Sequence, residues 1–118
     1  MPDQPVPDTF DGQRAAFDHL DLVWLDGEFV DWEDATVHVL THGLHYGTSV
    51  FEGVRCYDTG DGPAIFRWDD HLGRLSDSAR TLGMAVPFDG ETLTAATTEL
   101  VRRQRLDSCY VRPIAFYG

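Results

Sequence analysis

The residues best suited to chemistry lie in one run, residues 42–57, where histidine, tyrosine, glutamate, arginine and cysteine are interspersed with three glycines. A strand needed only for packing would show clean alternation or a continuous apolar run. Glycine has no Cβ, so it allows a ligand or another backbone to approach closely. The run therefore predicts a binding site.

Three histidines in and beside this run, His38, His42 and His45, are spaced by four and three residues. On a helix this spacing would place their imidazoles on one side, as metal ligands require. The neighbouring valines and glycines favour strand and turn over helix, and no carboxylate or thiolate lies nearby in the sequence as a further ligand. We therefore expect no metal site.

Two arginines are candidates for binding anions. Arg74 follows His71 by three residues in a helical pattern, so both side chains share a face, and its guanidinium suits a phosphate group. The alternative is a surface ion pair with Asp70 or Asp77.

The second arginine, Arg112, lies two residues after Tyr110 in a predicted strand, so their side chains share a face. Together they could bind a carboxylate by charge and hydrogen bond. The alternative is an arginine packed over a tyrosine ring. Without a ligand, Tyr46 and Phe51 would be ordinary core aromatics.

Charge excludes several classes of partner. The 118 residues carry a formal charge of −11, which disfavours binding to nucleic acid or to an anionic membrane surface. All nine basic residues are arginine, so no lysine side chain can serve as an amine nucleophile. An acidic, lysine-free composition is typical of salt-adapted cytoplasmic proteins.

Cysteine use and hydropathy predict a cytoplasmic protein. Cys56 and Cys109 fall in predicted strands, which favours buried free thiols in a reducing compartment over a disulfide. No apolar stretch approaches the roughly 20 residues that a membrane span needs. The acidic, proline-containing first residues do not have the pattern of a signal peptide.

The elements that must position these residues form an α+β domain over residues 22–118, after a flexible acidic leader at residues 1–21. Asp26-Gly27 between apolar runs predicts a β-hairpin. The strands are predicted at residues 22–25, 28–30, 37–40, 50–57, 64–67 and 109–117. Because Gly118 directly follows an apolar strand, we expect the chain to be truncated.

Apolar residues at helical spacing predict two helices. The first is capped by Asp69 or Asp70 and closed by Gly83, and the second begins near Asp89 and ends in arginines. Their apolar residues are Leu72, Leu75, Ala79 and Leu82 in the first helix, and Leu93, Ala96, Leu100 and Val101 in the second.

Four separated blocks carry a resemblance to a known family: residues 42–57, 65–67 (Ile-Phe-Arg), 71–75 (His-Leu-Gly-Arg-Leu) and 110–113 (Tyr-Val-Arg-Pro). In order and spacing they resemble the amino-terminal domain of branched-chain amino acid aminotransferases, which are class IV, pyridoxal-phosphate-dependent enzymes. The resemblance extends over residues 22–118. It implies the small amino-terminal domain of the D-amino-acid-aminotransferase-like fold, an antiparallel sheet with two helices.

The resemblance also implies roles for individual residues. It assigns Arg74 to the phosphate of pyridoxal 5'-phosphate, and Tyr110 and Arg112 to substrate carboxylates. Tyr46 and Phe51 are implied to line the pocket for an aliphatic side chain, with Gly53 leaving room for substrate. The implied reaction moves an amino group between leucine, isoleucine or valine and 2-oxoglutarate, in a homodimer or larger homo-oligomer.

The family's catalytic lysine belongs to the carboxy-terminal domain. The chain is therefore expected to contain no catalytic residue and to be inactive alone. Two alternatives stay open. One is another class IV member, a D-amino-acid aminotransferase or aminodeoxychorismate lyase, and the other is a non-catalytic fragment that binds a partner polypeptide.

Overall fold

The structure is a computed structural model that describes residues 20–118. Its strands are β1 (Leu22–Leu25), β2 (Glu28–Asp31), β3 (Ser49–Phe51), β4 (Val54–Thr59), β5 (Gly62–Ile65), β6 (Cys109–Val111) and β7 (Ile114–Phe116). Its helices are α1 (His42–Tyr46), α2 (Trp68–Thr81) and α3 (Gly90–Gln104), with a 3₁₀ turn at Trp32–Asp34. The predicted α+β class with antiparallel strands is confirmed, and the strands divide among three sheets: β1-β2, β3-β7 and β5-β4-β6.

The β1–β2 hairpin is present as predicted. Asp26 and Gly27 both have positive φ, 52° and 94°, as a tight two-residue hairpin turn requires. The hairpin is joined to α3, where Gln104 Nε2 donates to the Leu22 carbonyl at 2.6 Å. Most of the predicted leader lies outside the described residues, but Asp21 is included, and its backbone N–H donates to Gln104 Oε1 at 3.0 Å.

The predicted continuous strands over residues 50–57 and 109–117 are wrong, because each is broken in the middle. The first breaks at Glu52-Gly53 and the second at Arg112-Pro113, where proline has no N–H to donate to a ladder. β3 pairs with β7, whereas β4 pairs with β6. The two breaks lie side by side, since the Glu52 N–H donates to the Pro113 carbonyl at 3.0 Å. Both chain segments therefore pass together from one sheet to the next.

Two further local predictions are wrong. Residues 37–40 form no strand, and residues 42–46 form helix α1 where strand and turn were expected. Gly47, with φ 67°, ends α1, and the Gly43 N–H donates to the Tyr117 carbonyl at 2.9 Å. This hydrogen bond to Tyr117, which directly follows β7, stabilises a helical turn that the helix propensities of the local residues disfavour.

Helix α2 begins differently from the prediction. Arg67, with φ 52°, is its N-cap, and neither Asp69 nor Asp70 caps it; Asp70 instead pairs with the Arg67 guanidinium at 2.8 Å. Gly83, with φ 68°, follows the helix as predicted. Leu82, the last of the apolar residues at helical spacing, is the C-cap residue of the helix and is 44% exposed.

Helix α3 has the predicted start. Asp89 Oδ1 accepts a hydrogen bond from the Thr92 N–H at 2.8 Å, and this bond holds the pKa of Asp89 below its ordinary value of 3.8. Ala96 and Val101 form the buried face of the helix. Across residues 20–118, we find no helix with the length and apolar composition needed to cross a membrane.

The main core lies between β3 and α2. Leu75 and Ala79 of α2 pack with Val50 and Met84, as the helical spacing of the first two predicts. Val54 and Cys56 of β4, which follow Val50 in the sequence, are almost fully buried. The core therefore lies on one side of residues 50–56, the segment that leads into and out of the Glu52-Gly53 break.

Candidate functional site

A buried carboxylate lies at the centre of this segment. Glu52 is 6% exposed, on the same buried side as Val50, Val54 and Cys56. A carboxylate removed from water needs charged or hydrogen-bonding partners. Glu52 has two on α2: Oε1 lies 3.1 Å from Arg74 Nε, and Oε2 lies 3.2 Å from His71 Nδ1.

Glu52 was not predicted as a functional residue, although the sequence contained the signal. Every second position from Val50 to Cys56 is apolar except Glu52, and side chains two apart in a strand share a face. A single carboxylate in an apolar row predicts a buried charge with a specific partner. The predicted shared face of His71 and Arg74 is confirmed, because both contact Glu52.

The expected alternative for Arg74, an ion pair with Asp70 or Asp77, does not occur. Those two carboxylates pair with Arg67 and Arg80 instead. The Arg74 nitrogen that pairs with Glu52 is Nε. The side chain is 71% exposed, so its terminal nitrogens are accessible to an anion.

A second arginine group lies where the breaks at Glu52-Gly53 and Arg112-Pro113 are side by side, a place that we call the bend. The Arg112 guanidinium lies 4.3 Å from the centre of the Phe51 ring and 5.4 Å from that of Tyr110. Its Nη2 also donates to the Tyr110 hydroxyl at 3.2 Å. Tyr110 and Arg112 lie together as predicted. The guanidinium packs over the Tyr110 ring, as the alternative interpretation has it, and carboxylate binding by the pair stays a prediction. Phe51 and Tyr110 are more than half exposed, so this group is open to a ligand.

Gly53 allows Tyr110 to lie across the bend. A Cβ at Gly53 would overlap the Tyr110 hydroxyl, so any larger residue would displace the ring. The space beside the glycine is thus filled by Tyr110, and a role for Gly53 in leaving room for substrate stays a prediction.

Tyr46 lies apart from this group. Its ring is 4.5 Å from that of His42 within α1, and the residue is 73% exposed. The structure therefore brings Phe51, Gly53, Tyr110 and Arg112 together. Arg74 is linked to this group by its ion pair with Glu52, which lies between Phe51 and Gly53 in the sequence. Tyr46 belongs to α1 and lies outside the group.

The three histidines have separate local partners. His42 Nδ1 lies 2.6 Å from Thr48 Oγ1, His45 Nε2 lies 2.8 Å from the Val39 carbonyl, and His38 Nδ1 accepts from the Leu40 N–H at 3.0 Å. In the described part of the chain, no three histidine, cysteine, aspartate or glutamate side chains are grouped so that they could hold a metal ion.

Cys56 and Cys109 are free thiols, as predicted. They lie directly opposite each other in the β4–β6 pairing. Burial, with a smaller contribution from Cys56, raises the pKa of Cys109 to about 11. A thiol protonated at neutral pH is a poor nucleophile, so Cys109 is not a candidate for catalysis.

Residues 49–118 match the family described as amino-transferase class IV. This stretch is more than half of the chain and contains both breaks and both arginine groups. The chain belongs to the class IV aminotransferase family. Among its curated relatives, the branched-chain-amino-acid aminotransferase of Pseudomonas aeruginosa is 54% identical over 97 residues, which are 82% of this chain and 32% of the relative.

Solved structures of class IV relatives have the same fold. The T.th. branched-chain amino acid aminotransferase, complexed with N-(5'-phosphopyridoxyl)-L-glutamate, matches with a TM-score of 0.82 at 52% identity, covering 84% of this chain and 33% of that one. The Escherichia coli enzyme matches with a TM-score of 0.82 at 48% identity over 84% of this chain and 33% of its own. The chain thus spans about a third of the length of these relatives.

Proposed function

We propose that this chain forms the cofactor-phosphate and substrate-carboxylate side of a branched-chain amino acid aminotransferase. The reaction would transfer an amino group between leucine, isoleucine or valine and 2-oxoglutarate. The observation that carries the proposal is that two exposed guanidiniums contact neighbouring residues of one chain segment: Arg74 pairs with Glu52, and Arg112 lies over Phe51 and hydrogen-bonds Tyr110.

The proposed cofactor is pyridoxal 5'-phosphate, which supplies an electron sink for the α-carbon of an amino acid when bound. Arg74 fits its phosphate, because Nη1 and Nη2 are accessible and charge-assisted hydrogen bonds to phosphate are strong. Structures of the T.th. relative hold a phosphopyridoxyl-glutamate adduct and pyridoxamine 5'-phosphate, which supports the same class of ligand here.

Arg112 and Tyr110 would bind the substrate carboxylate with a guanidinium and a phenol. Phe51, beside them, offers apolar area to an aliphatic side chain, and Tyr46 would extend this wall. Another structure of the T.th. relative is complexed with 4-methylvaleric acid, a branched aliphatic carboxylate that presents both of these chemical features. This support favours branched-chain substrates over those of the other class IV members.

The chain has no lysine, so the amine nucleophile of the proposed reaction must be supplied from outside these residues. The turn before α1 and α1 itself expose Leu40, Leu44 and Tyr46 at 72%, 64% and 73%. An exposed apolar surface of this kind fits burial against another polypeptide. We include in the proposal a homodimer or larger homo-oligomer in the cytoplasm, with an acidic surface adapted to salt.

A binding experiment tests the cofactor assignment. The 118-residue chain is titrated with pyridoxal 5'-phosphate and with pyridoxal, which has no phosphate, and so is the variant Arg74→Met. The wild type should prefer the phosphorylated compound and the variant should not. Equal affinities in the wild type would contradict the assignment of Arg74 to phosphate.

A complementation experiment tests the reaction. The chain is mixed with the separately produced lysine-bearing region of the Pseudomonas aeruginosa relative, and glutamate is measured after addition of L-leucine and 2-oxoglutarate. Activity that is lost with Arg112→Met supports the proposal. Activity with D-amino acids alone would favour the D-amino-acid branch, and no reaction with any substrate would favour a non-catalytic fragment.

A further inference from the structure

We propose that Glu52 is the positioning residue for Arg74, holding its guanidinium in the orientation in which Nη1 and Nη2 meet a phosphate. The inference rests on the proposed function of Arg74. Glu52 itself would touch neither cofactor nor substrate, since its two oxygens are already taken by Arg74 and His71.

The Arg74 guanidinium has donors on more than one edge. Arginine offers planar N–H donors at Nε, Nη1 and Nη2, and the nitrogen closest to Glu52 is Nε, which lies 3.1 Å from Oε1 in an ion pair. This ion pair restrains the guanidinium on its Nε side, while the 71% exposure of the Arg74 side chain leaves it accessible to a ligand. An unrestrained arginine would lose rotamer entropy when phosphate binds, whereas one already held by Glu52 loses less.

Glu52 is itself held in place by several contacts. Its side chain is 7% exposed, His71 contacts its second oxygen, and its backbone N–H donates to the Pro113 carbonyl at 3.0 Å. The anchor is therefore fixed at the side chain and at the backbone.

The other arginine–carboxylate pairs formed by α2 residues differ in this respect. In the Arg67–Asp70 and Arg80–Asp77 pairs, both side chains are more than 60% exposed. Exposed pairs of this kind hold their partners weakly. Within residues 20–118, the Arg74 pair is the one α2 pair with a buried carboxylate, so it is suited to holding a guanidinium still.

Simple electrostatics and positioning predict opposite effects of removing Glu52. A carboxylate close to a phosphate site repels the anion, so its removal should tighten phosphate binding if charge alone matters. If Glu52 acts by orienting Arg74, its removal should weaken binding despite the lost repulsion. The sign of the change therefore tests the inference.

The experiment uses the 118-residue chain with Glu52→Leu, which removes the acceptor, and Glu52→Gln, which keeps a neutral one. Dissociation constants for pyridoxal 5'-phosphate and pyridoxal give the phosphate preference of each protein. The preference should fall about tenfold in Glu52→Leu, which loses the ion pair with Arg74, and by less in Glu52→Gln. Asp77→Asn, which removes the same charge from an exposed pair on α2, should leave it unchanged.

A second readout is the Arg74 Nε–H resonance. In the wild type, this proton should exchange more slowly with solvent than the Nε–H of Arg80 even without ligand, because the ion pair with the buried Glu52 carboxylate restrains the guanidinium. In Glu52→Leu it should exchange as fast as the Nε–H of Arg80, and in Glu52→Gln at an intermediate rate. A purely structural role of Glu52 would instead change the affinities for the two compounds by the same factor, which would overturn the inference.

The outcomes distinguish the inference from the proposed function. If the wild type prefers the phosphorylated compound, Arg74→Met abolishes that preference and the Glu52 variants keep or strengthen it, the positioning role is wrong and the phosphate role of Arg74 stands. If the wild type shows no preference, the phosphate role fails and the positioning role fails with it.

Discussion

Replacing Gly53 with alanine perturbs the site at its tightest contact. The new Cβ would overlap the Tyr110 hydroxyl oxygen and lie 2.6 Å from Cζ and 3.3 Å from Cε2 of the same ring. The Tyr110 ring is the far end of a flexible side chain that is 56% exposed. We therefore expect the ring to move toward solvent while the backbone stays in place.

The expected change in stability is small because two effects oppose each other. Gly53 is not among the glycines with positive φ, so alanine fits its backbone and should stabilise the fold by about 0.4–1 kcal/mol through the unfolded state. Losing the Arg112–Tyr110 hydrogen bond costs about 0.5–1.5 kcal/mol. The net change in the free energy of unfolding should therefore be below about 1 kcal/mol.

Carboxylate binding should respond more strongly. Under the proposed role of Tyr110, its displacement removes one hydrogen bond to the bound carboxylate, so the affinity for 4-methylvaleric acid should fall about tenfold. Urea denaturation and a titration followed by NMR measure the two quantities. A loss of more than about 3 kcal/mol would show that the backbone moves, and unchanged binding would show that Tyr110 does not contact the carboxylate.

The matched control is Gly73→Ala in α2. A Cβ at Gly73 meets no atom within 4 Å, so the same methyl group is added without a clash. Because glycine in a helix interior is destabilising relative to alanine, this variant should gain about 0.5–1 kcal/mol of stability. Its affinity for 4-methylvaleric acid should equal that of the wild type.

The remaining predictions concern the stability of the fold. Leu75→Ala removes a side chain that is 5% exposed in the core and should cost about 2–5 kcal/mol in urea denaturation; a smaller cost would mean that α2 is not anchored there. Hydrogen bonds from Arg102 and Arg103 lower the pKa of Glu99 from 4.5 to about 2, so Glu99 stabilises the fold above pH 4.5 and loses this effect as pH falls toward 2. The melting temperature of Glu99→Gln should therefore lie below that of the wild type at neutral pH and approach it on acidification. Finally, with a formal charge of −11, the melting temperature should rise from low to molar KCl as repulsion is screened, and a flat or falling value would contradict salt adaptation.

The features predicted correctly from sequence are those with local causes. Asp26-Gly27 specifies a tight turn through two positive φ values, and Asp89 caps α3 through a hydrogen bond within one helical turn. Leu75 and Ala79 recur at a helical spacing that places them on one buried face. In each case, the residues that determine the structure lie within a few positions of one another.

The features that were missed depend on contacts between distant residues. Helix α1 is held by the bond from Gly43 to Tyr117, and α2 starts at Arg67 without an aspartate cap. The breaks in the two long strands need each other, since the Glu52 N–H is satisfied by Pro113, 61 positions away in sequence. Propensity within a short window contains no information about such a partner.

The candidate site was predicted in part. Tyr110 and Arg112 lie together as predicted, although Arg112 follows the last residue of β6 and is not part of the strand. The role of Arg74 came from resemblance, whereas its ion pair with Glu52 could have been predicted from the buried position of that carboxylate. Only the structure shows that Arg112 stacks on Phe51 across the bend, because that contact requires both strand breaks.

The two breaks determine where the two exposed arginine groups lie relative to the strands. In an unbroken strand, Phe51 and Gly53 would share one face and Glu52 would lie on the other. The breaks end the β3–β7 pairing and start the β4–β6 pairing at the same place, which leaves Phe51 and Arg112 exposed on one side. On the other side, Glu52 is directed at α2, where it reaches Arg74. A change that restores a continuous ladder at Pro113 should therefore affect both arginines together, although they contact different residues.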